Sequence, residues 1–185
     1  MTLQTALQQG AEILEKAAIP VPRLTAEVLL CHALKREREF LYAHRDDELT
    51  QLAWIHYGRY LNERLKGKPT QYITHRQEFY GRDFYVDENV LIPRPETEHL
   101  VEAALTYLKH HSAGIIVDVG TGSGAIATSV AAESGREIFA SDISSAALRV
   151  AERNRVKHNA PVQFFAADLL ESIKPQSSFR WTAWR

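Results

Sequence analysis

Three short apolar runs in the second half of the chain carry aspartates at or near their ends, and the first run breaks into a cluster of glycines. Residues 115–119 (Ile-Ile-Val-Asp-Val) lead into Gly120-Thr121-Gly122-Ser123-Gly124, and an Ala-rich segment follows over 125–133. A β-branched run fits a strand buried on both faces, and Ala125, Ile126, Ala127, Val130 and Ala131 supply a helix with a mostly apolar surface. Glycine permits positive φ and lets a ligand approach the backbone. The pattern predicts a strand, a tight turn and a helix, the first unit of a doubly wound α/β domain whose ligands sit at the carboxyl ends of the strands.

The second run, 137–142, ends in Asp142, 18 residues beyond Gly124. That is near the roughly 20-residue offset at which an acidic residue meets ribose hydroxyls in nucleotide-binding α/β folds. A carboxylate there can accept two hydrogen bonds from a vicinal diol and repels a 2′-phosphate. The third run, 162–168, ends in Asp168, suited to the neighbourhood of a bound base. Gly120, Gly122 and Ala125 also fit the G-x-G-x-x-A spacing of NAD-type dinucleotide binders, with Asp142 as the acidic residue. Asp118, immediately before the loop, argues against that reading.

The elements that must position these residues are bounded by composition. With 45% hydrophobic residues among 185, the chain can bury a core in one or two domains. Basic and acidic residues nearly balance, at 22 and 23, so no global field points to nucleic acid or to an anionic membrane. A single cysteine, Cys31, lies in the apolar stretch 28–34 and reads as a buried structural thiol; with no leader pattern and no 18-residue apolar run, the expectation is a cytoplasmic protein. The eight histidines have no zinc spacing, and no metal is expected.

From 2 to 18 the residues Leu3, Ala6, Leu7, Ile13, Leu14 and Ala17 form one stripe of an amphipathic helix, closed by Pro20 and Pro22. A second helix over 23–35, apolar on more than one side through Leu24, Val28, Leu29, Leu30 and Leu34, should be central in a small bundle. A short third covers 37–44. Thr50 is placed to cap a fourth over 51–66, with Trp54, Tyr57, Leu61 and Leu65 on its inner face. Past Gly67-Lys68-Pro69 the period changes, and aromatic runs on either side of Gly81-Arg82-Asp83 predict a β-hairpin between domains. Pro95 is placed to begin a helix running to about His110, with Glu96 and Glu98 in its first turn.

Several of these segments together resemble a known family, the N(5)-glutamine methyltransferases of peptide chain release factors (the HemK/PrmC family). The shared segments are Ala26-Glu27-Val28-Leu29-Leu30, Gly67-Lys68-Pro69 with Gln71-Tyr72-Ile73, Glu78-Phe79-Tyr80-Gly81, Leu91-Ile92-Pro93-Arg94-Pro95-Glu96-Thr97-Glu98, and the run from Asp118 through Gly124. The resemblance covers about residues 1–179. It implies an S-adenosylmethionine-dependent methyltransferase domain of α/β class, Rossmann-like and doubly wound, over 93–185. A helical substrate-recognition domain over 1–68 and a hairpin linker over 69–92 precede it. It further implies that Gly120, Thr121, Gly122, Ser123 and Gly124 contact the cofactor's methionine part, Asp142 its ribose, and Asp168 and Leu169 its adenine end. The implied protein partners are release factors, methylated on a Gly-Gly-Gln glutamine, with no direct nucleic-acid or membrane partner; the oligomeric state stays open.

One departure bears on activity. The family's Asn-Pro-Pro-Tyr segment, expected shortly after Phe179, is absent, since no two prolines are adjacent in the sequence. Trp181 and Trp184 are out of pattern for a fourth strand. The expectations are therefore no catalytic residue in this chain, binding without turnover, and an exposed apolar edge at the first strand that favours aggregation. A frameshift after Phe179 accounts for this better than a regulatory, non-catalytic release-factor-binding module.

Overall fold

A computed structural model describes residues 1–111 and 114–169; the expectations for the segment after Phe179 lie outside the described residues. The chain forms two compact units, Met1–Thr74 and the residues from His75 onward.

The first unit is helical: α1 (Leu3–Lys16), α2 (Pro22–Leu34), α3 (Arg38–Ala43), α4 (Gln51–Leu65) and α5 (Thr70–Thr74). Thr2 opens α1 by accepting the Thr5 N–H at 3.2 Å, and Thr50 opens α4 by accepting the Ala53 N–H at 3.3 Å. Helix α2 is central as expected, packing against all four of the others. Its buried face is Ala26, Leu29, Leu30 and Cys31, while Leu24 is exposed. Burial pushes the Cys31 thiol up to about 11, with Glu27 adding to the shift, which keeps it protonated and inert.

The inner face of α4 is narrower than its aromatic stripe predicted. Ala53, Tyr57 and Leu61, at strict four-residue spacing, are buried, whereas Trp54 and Leu65 are exposed. Trp54 sits one position off that row, about 100° away around the helix, whereas Leu65 is one further step along the row, at the last residue of α4.

Glu27 is the unforeseen member of this unit. Its side chain is 3% exposed and takes Arg38 Nη2 at 2.6 Å, the Tyr42 hydroxyl at 2.6 Å and Arg23 Nε at 3.4 Å. Burial pushes its pKa up, but the hydrogen bonds from Tyr42, Arg38 and Arg23 outweigh it and hold the carboxyl below its usual value of 4.5. A lowered folded pKa makes a stabilising contribution that is complete above the unfolded value and is lost as pH falls through the folded one.

The second unit opens with a hairpin, β1 (Gln77–Phe79) and β2 (Arg82–Phe84), with Phe79 opposite Arg82. The turn is therefore the two residues Tyr80-Gly81, earlier than the Gly-Arg-Asp placement predicted. Both have positive φ, 52° and 67°, as a two-residue turn matching the strand twist requires. Glu98 accepts the Tyr80 N–H at 3.0 Å and Arg82 pairs with Glu133 at 2.7 Å. Phe79 and Phe84 are buried in one core with Val101, Val130 and Ile138, so the hairpin is part of this unit's interior.

A 3₁₀ turn, Pro95–Thr97, precedes α6 (Glu98–His110), so Pro95 starts a tighter turn before the α-helix. Then come β3 (Val117–Val119), α7 (Ala125–Ser134), β4 (Ile138–Asp142), α8 (Ser145–His158) and β5 (Val162–Ala166). The three strands are parallel in the order β3-β4-β5, with Val119 opposite Ser141 and Asp142 opposite Ala166. This is the predicted α/β class. The strand enclosed by neighbours is β4, whose Ile138, Ala140 and Ser141 are buried. Strand β3 is shorter than 115–119 and is not buried on both faces: Ile115 is 58% and Val119 38% exposed, because among the described residues β3 pairs with β4 alone. No helix among the described residues is long and apolar enough to cross a membrane.

The α1 to α4 packing supports one prediction. A Cβ on Gly10 would overlap the Tyr57 hydroxyl, which is itself buried without a hydrogen-bond partner among the described residues. Gly10→Ala should destabilise the chain by about 1–3 kcal/mol in urea titrations, as overpacking does, less the roughly 1 kcal/mol gained from helix propensity. Tyr57→Phe removes the unpaired hydroxyl but leaves the ring Cζ 2.7 Å from the added Cβ, so it should restore part of that loss; stability changes of the two substitutions that simply add would refute the clash.

Candidate functional site at the carboxyl ends of the strands

The glycine loop hangs from the end of β4. The N–H groups of Gly120 and Thr121 both donate to the Ser141 carbonyl, at 2.8 and 2.9 Å. Gly122 N–H donates to Asp142 Oδ2 at 2.9 Å, and Ser144 N–H to Asp142 Oδ1 at 2.9 Å. Ser144 in turn caps α8, accepting the Ala147 N–H at 3.2 Å. Each Asp142 oxygen thus keeps one backbone bond and has a further lone pair for a ligand.

Asp118 also holds the loop. It accepts the Thr121 hydroxyl at 2.7 Å and is also supported by the backbone N–H of Ala127, in the first turn of α7. Removal from water pushes its pKa above the ordinary 3.8; the Asp142 charge adds to this, and the Thr121 and Ala127 bonds oppose it.

The glycines have different duties. All three have positive φ: 77° at Gly120, 55° at Gly122 and 76° at Gly124. A Cβ on Gly120 or Gly122 would enter open space, whereas one on Gly124 would meet Ala151 Cβ at 3.0 Å and Phe164 Cζ at 3.3 Å. Gly124 therefore serves close packing of α7 on α8 and β5, and the first two leave the loop's outer side open. Thr121 and Ser123 are buried.

The structure brings Gly120, Thr121, Gly122, Ser123, Gly124 and Asp142 together through Ser141 and Asp142. Asp168 and Leu169 follow β5 and are exposed, and Ala167 N–H donates to the Asp142 carbonyl at 3.2 Å. Leu169 is 70% exposed, and so is Ile143, at 73%, immediately after Asp142. Sequence reasoning left out Ile143 and used Asp118 only as an argument about ligand class. The signals were present: a large apolar residue after a strand-ending acid, and a carboxylate breaking an apolar strand.

Two outcomes follow from these contacts. Gly124→Ala should cost about 1–3 kcal/mol more stability than Gly122→Ala in parallel urea titrations, since both incur positive-φ strain but the first alone also overpacks. Asp118 binds protons more tightly folded than unfolded, so its ionisation lowers stability progressively as pH rises from about 3.8 through its raised folded pKa. Asp118→Asn removes that ionisation, at the cost of one acceptor oxygen. Its melting temperature in the absence of ligand should therefore rise relative to the wild type's between pH about 4 and about 8; a difference that does not change with pH would contradict the assignment.

The sequence that builds this geometry matches known protein families. Residues 5–74 match the model of the PrmC N-terminal domain, and residues 98–180 that of the methyltransferase small domain. The chain is 45% identical over 180 residues to the release factor glutamine methyltransferase of Koribacter versatilis (strain Ellin345), covering 97% of this chain and 64% of that protein. It is 40% identical over 183 residues to the protein of that name from Leptospira interrogans serogroup Icterohaemorrhagiae serovar Lai (strain 56601), covering 96% and 64%. With its namesake in Nitratidesulfovibrio vulgaris, identity is 42% over 175 residues, covering 93% and 59%. The chain thus spans somewhat less than two thirds of the length of these relatives. It matches a PrmC N-terminal domain followed by a methyltransferase small domain, and along nearly its whole length it is similar to proteins named release factor glutamine methyltransferase.

Proposed function

We propose that the protein binds S-adenosylmethionine at the carboxyl ends of β3, β4 and β5, as the donor-binding part of an enzyme that methylates the side-chain amide of a glutamine in a peptide chain release factor. The reading draws its substrate from the relatives' shared name. Its donor site rests on the residues themselves. In dinucleotide-binding folds the N-terminus of the helix after the first strand receives a pyrophosphate. Here Asp118 lies against the first turn of α7, and Asp142 holds the Gly122 N–H of the loop. A diphosphate there would meet two carboxylates, whereas a ligand carrying a sulfonium and an ammonium group would be attracted. This charge arrangement is the observation that carries the proposal, and it disfavours NAD.

In this reading the open side of Gly120 and Gly122 receives the methionine part, with Thr121, Ser123 and Gly124 holding the loop's shape. Asp142 takes the ribose diol with its remaining lone pairs. Ile143 and Leu169 offer apolar surface to the adenine, beside Asp168. The bound cofactor supplies an electrophilic methyl on sulfur. The acceptor amide is a poor nucleophile because its lone pair is delocalised, so it has to be held in line with that methyl. The helical residues 1–68 serve release-factor recognition, and 69–92 join them to the methyltransferase domain from 93 onward.

The test begins with binding. S-adenosylhomocysteine should raise the melting temperature, a saturating concentration of about 100 Kd adding about 2.7 kcal/mol, and NAD should not; the reverse pattern would sink the donor-site assignment. Asp142→Ala should weaken binding by about 1.5–3 kcal/mol, the range for a charge-assisted hydrogen bond. Tritiated S-adenosylmethionine then tests transfer. Label on the release factor's glutamine supports the full proposal, and S-adenosylhomocysteine binding with no label refutes transfer by this chain.

A further inference from the structure

We infer that Asn154 is a positioning residue that ties the glycine loop to the hairpin segment, so that the loop's ligand-receiving shape depends on the hairpin as well as on the sheet. The inference rests on the loop being the donor site proposed above. Asn154 lies on α8 and is wholly buried. Its Oδ1 accepts the Tyr85 N–H at 2.7 Å, and its Nδ2 donates to the Tyr85 carbonyl and the Ser123 carbonyl, both at 2.9 Å. Both amide hydrogens and the carbonyl oxygen are thereby engaged. The orientation is forced, because one N–H must meet the oxygen and two carbonyls must meet the NH₂.

Toward Tyr85 the side chain acts as a neighbouring strand would, continuing the pairing one residue past β2. Toward Ser123 it holds the peptide between Gly122 and Gly124. The same α8 face fixes the hairpin elsewhere: Lys157 Nζ and His158 Nε2 reach the Asp83 carbonyl at 2.6 and 2.9 Å, and the Arg153 guanidinium lies 3.6 Å from the Tyr85 ring centre. An apolar residue at 154 could fill the volume but would orphan three buried backbone groups. Helix α8 is therefore a splint between two segments far apart in sequence, and Asn154 is where the splint reaches the loop.

The test uses the full chain carrying Asn154→Asp, which keeps the shape and the acceptor for Tyr85 but sets a carboxylate against two carbonyl oxygens. Calorimetry with S-adenosylhomocysteine, run well below the variant's melting temperature, should show affinity reduced by about tenfold or more at pH about 8. The deficit relative to wild type at the same pH should shrink toward pH about 5.5, because a protonated carboxyl regains one donor. A role in stability alone predicts affinity within about twofold of wild type at every pH, and that result would overturn the inference. Hydrogen exchange without ligand gives a second reading. The Gly122 and Gly124 amides, which do not touch Asn154, should exchange about tenfold faster in the variant, and unchanged exchange would also overturn it. If the wild-type chain does not bind S-adenosylhomocysteine, the donor-site proposal fails and the exchange comparison alone decides. If Asn154→Asp does not fold, Gly81→Val, which strains the hairpin turn, should speed exchange at Gly122 and Gly124; no change there would again overturn the inference.

Discussion

The last two residues of β4 hold the candidate site together. The Ser141 carbonyl receives two loop N–H groups and the Asp142 carboxylate a third, so the chain leaving β3 is fastened to the neighbouring strand before α7 begins. A buried parallel strand can do this because its terminal backbone groups have no ladder partner beyond the sheet and must find one. Asp142 contributes one oxygen to the loop and the other to the start of α8. Ligand-facing chemistry and the entry of two helices are thus set by a single dipeptide, and loop geometry is largely fixed before any ligand arrives.

Around that junction the glycines divide the work that their shared spacing hides. Gly120 and Gly122 leave room outward, while Gly124 removes a Cβ that would strike α8 and β5. Asp118 sets a carboxyl group where related nucleotide folds keep a helix end free for phosphate. The loop accordingly combines a common backbone shape with an electrostatic preference of its own. The charge arrangement supports the ligand class proposed above by an argument separate from the sequence similarity.

Much of this was legible in the sequence because its signals are local. The glycine loop, the strand-ending acids and the offset to Asp142 each lie within a short window, as does the Thr50 cap. What could not be read depends on neighbours distant in the chain. Asn154 looks like one more polar residue on an amphipathic helix, and its partner Tyr85 is 69 residues away. Trp54 and Leu65 share a period with Tyr57 and Leu61, but the width of the packed stripe is set by the facing helices. Strand β3 reads as fully buried because composition reports preference for an interior, while its exposure follows from how many strands flank it.

The Glu27 cluster has a consequence for how the helical unit comes apart. Helix α3 has six residues and contributes one buried side chain, Leu41, so apolar packing alone holds it weakly. Its Arg38 and Tyr42 reach the Glu27 carboxylate, and that attachment weakens once the acid is protonated. Helices α1, α2 and α4 share an apolar core that does not titrate in the same way. Acid therefore loosens the attachment of α3 through a group that the shared apolar core of α1, α2 and α4 does not contain.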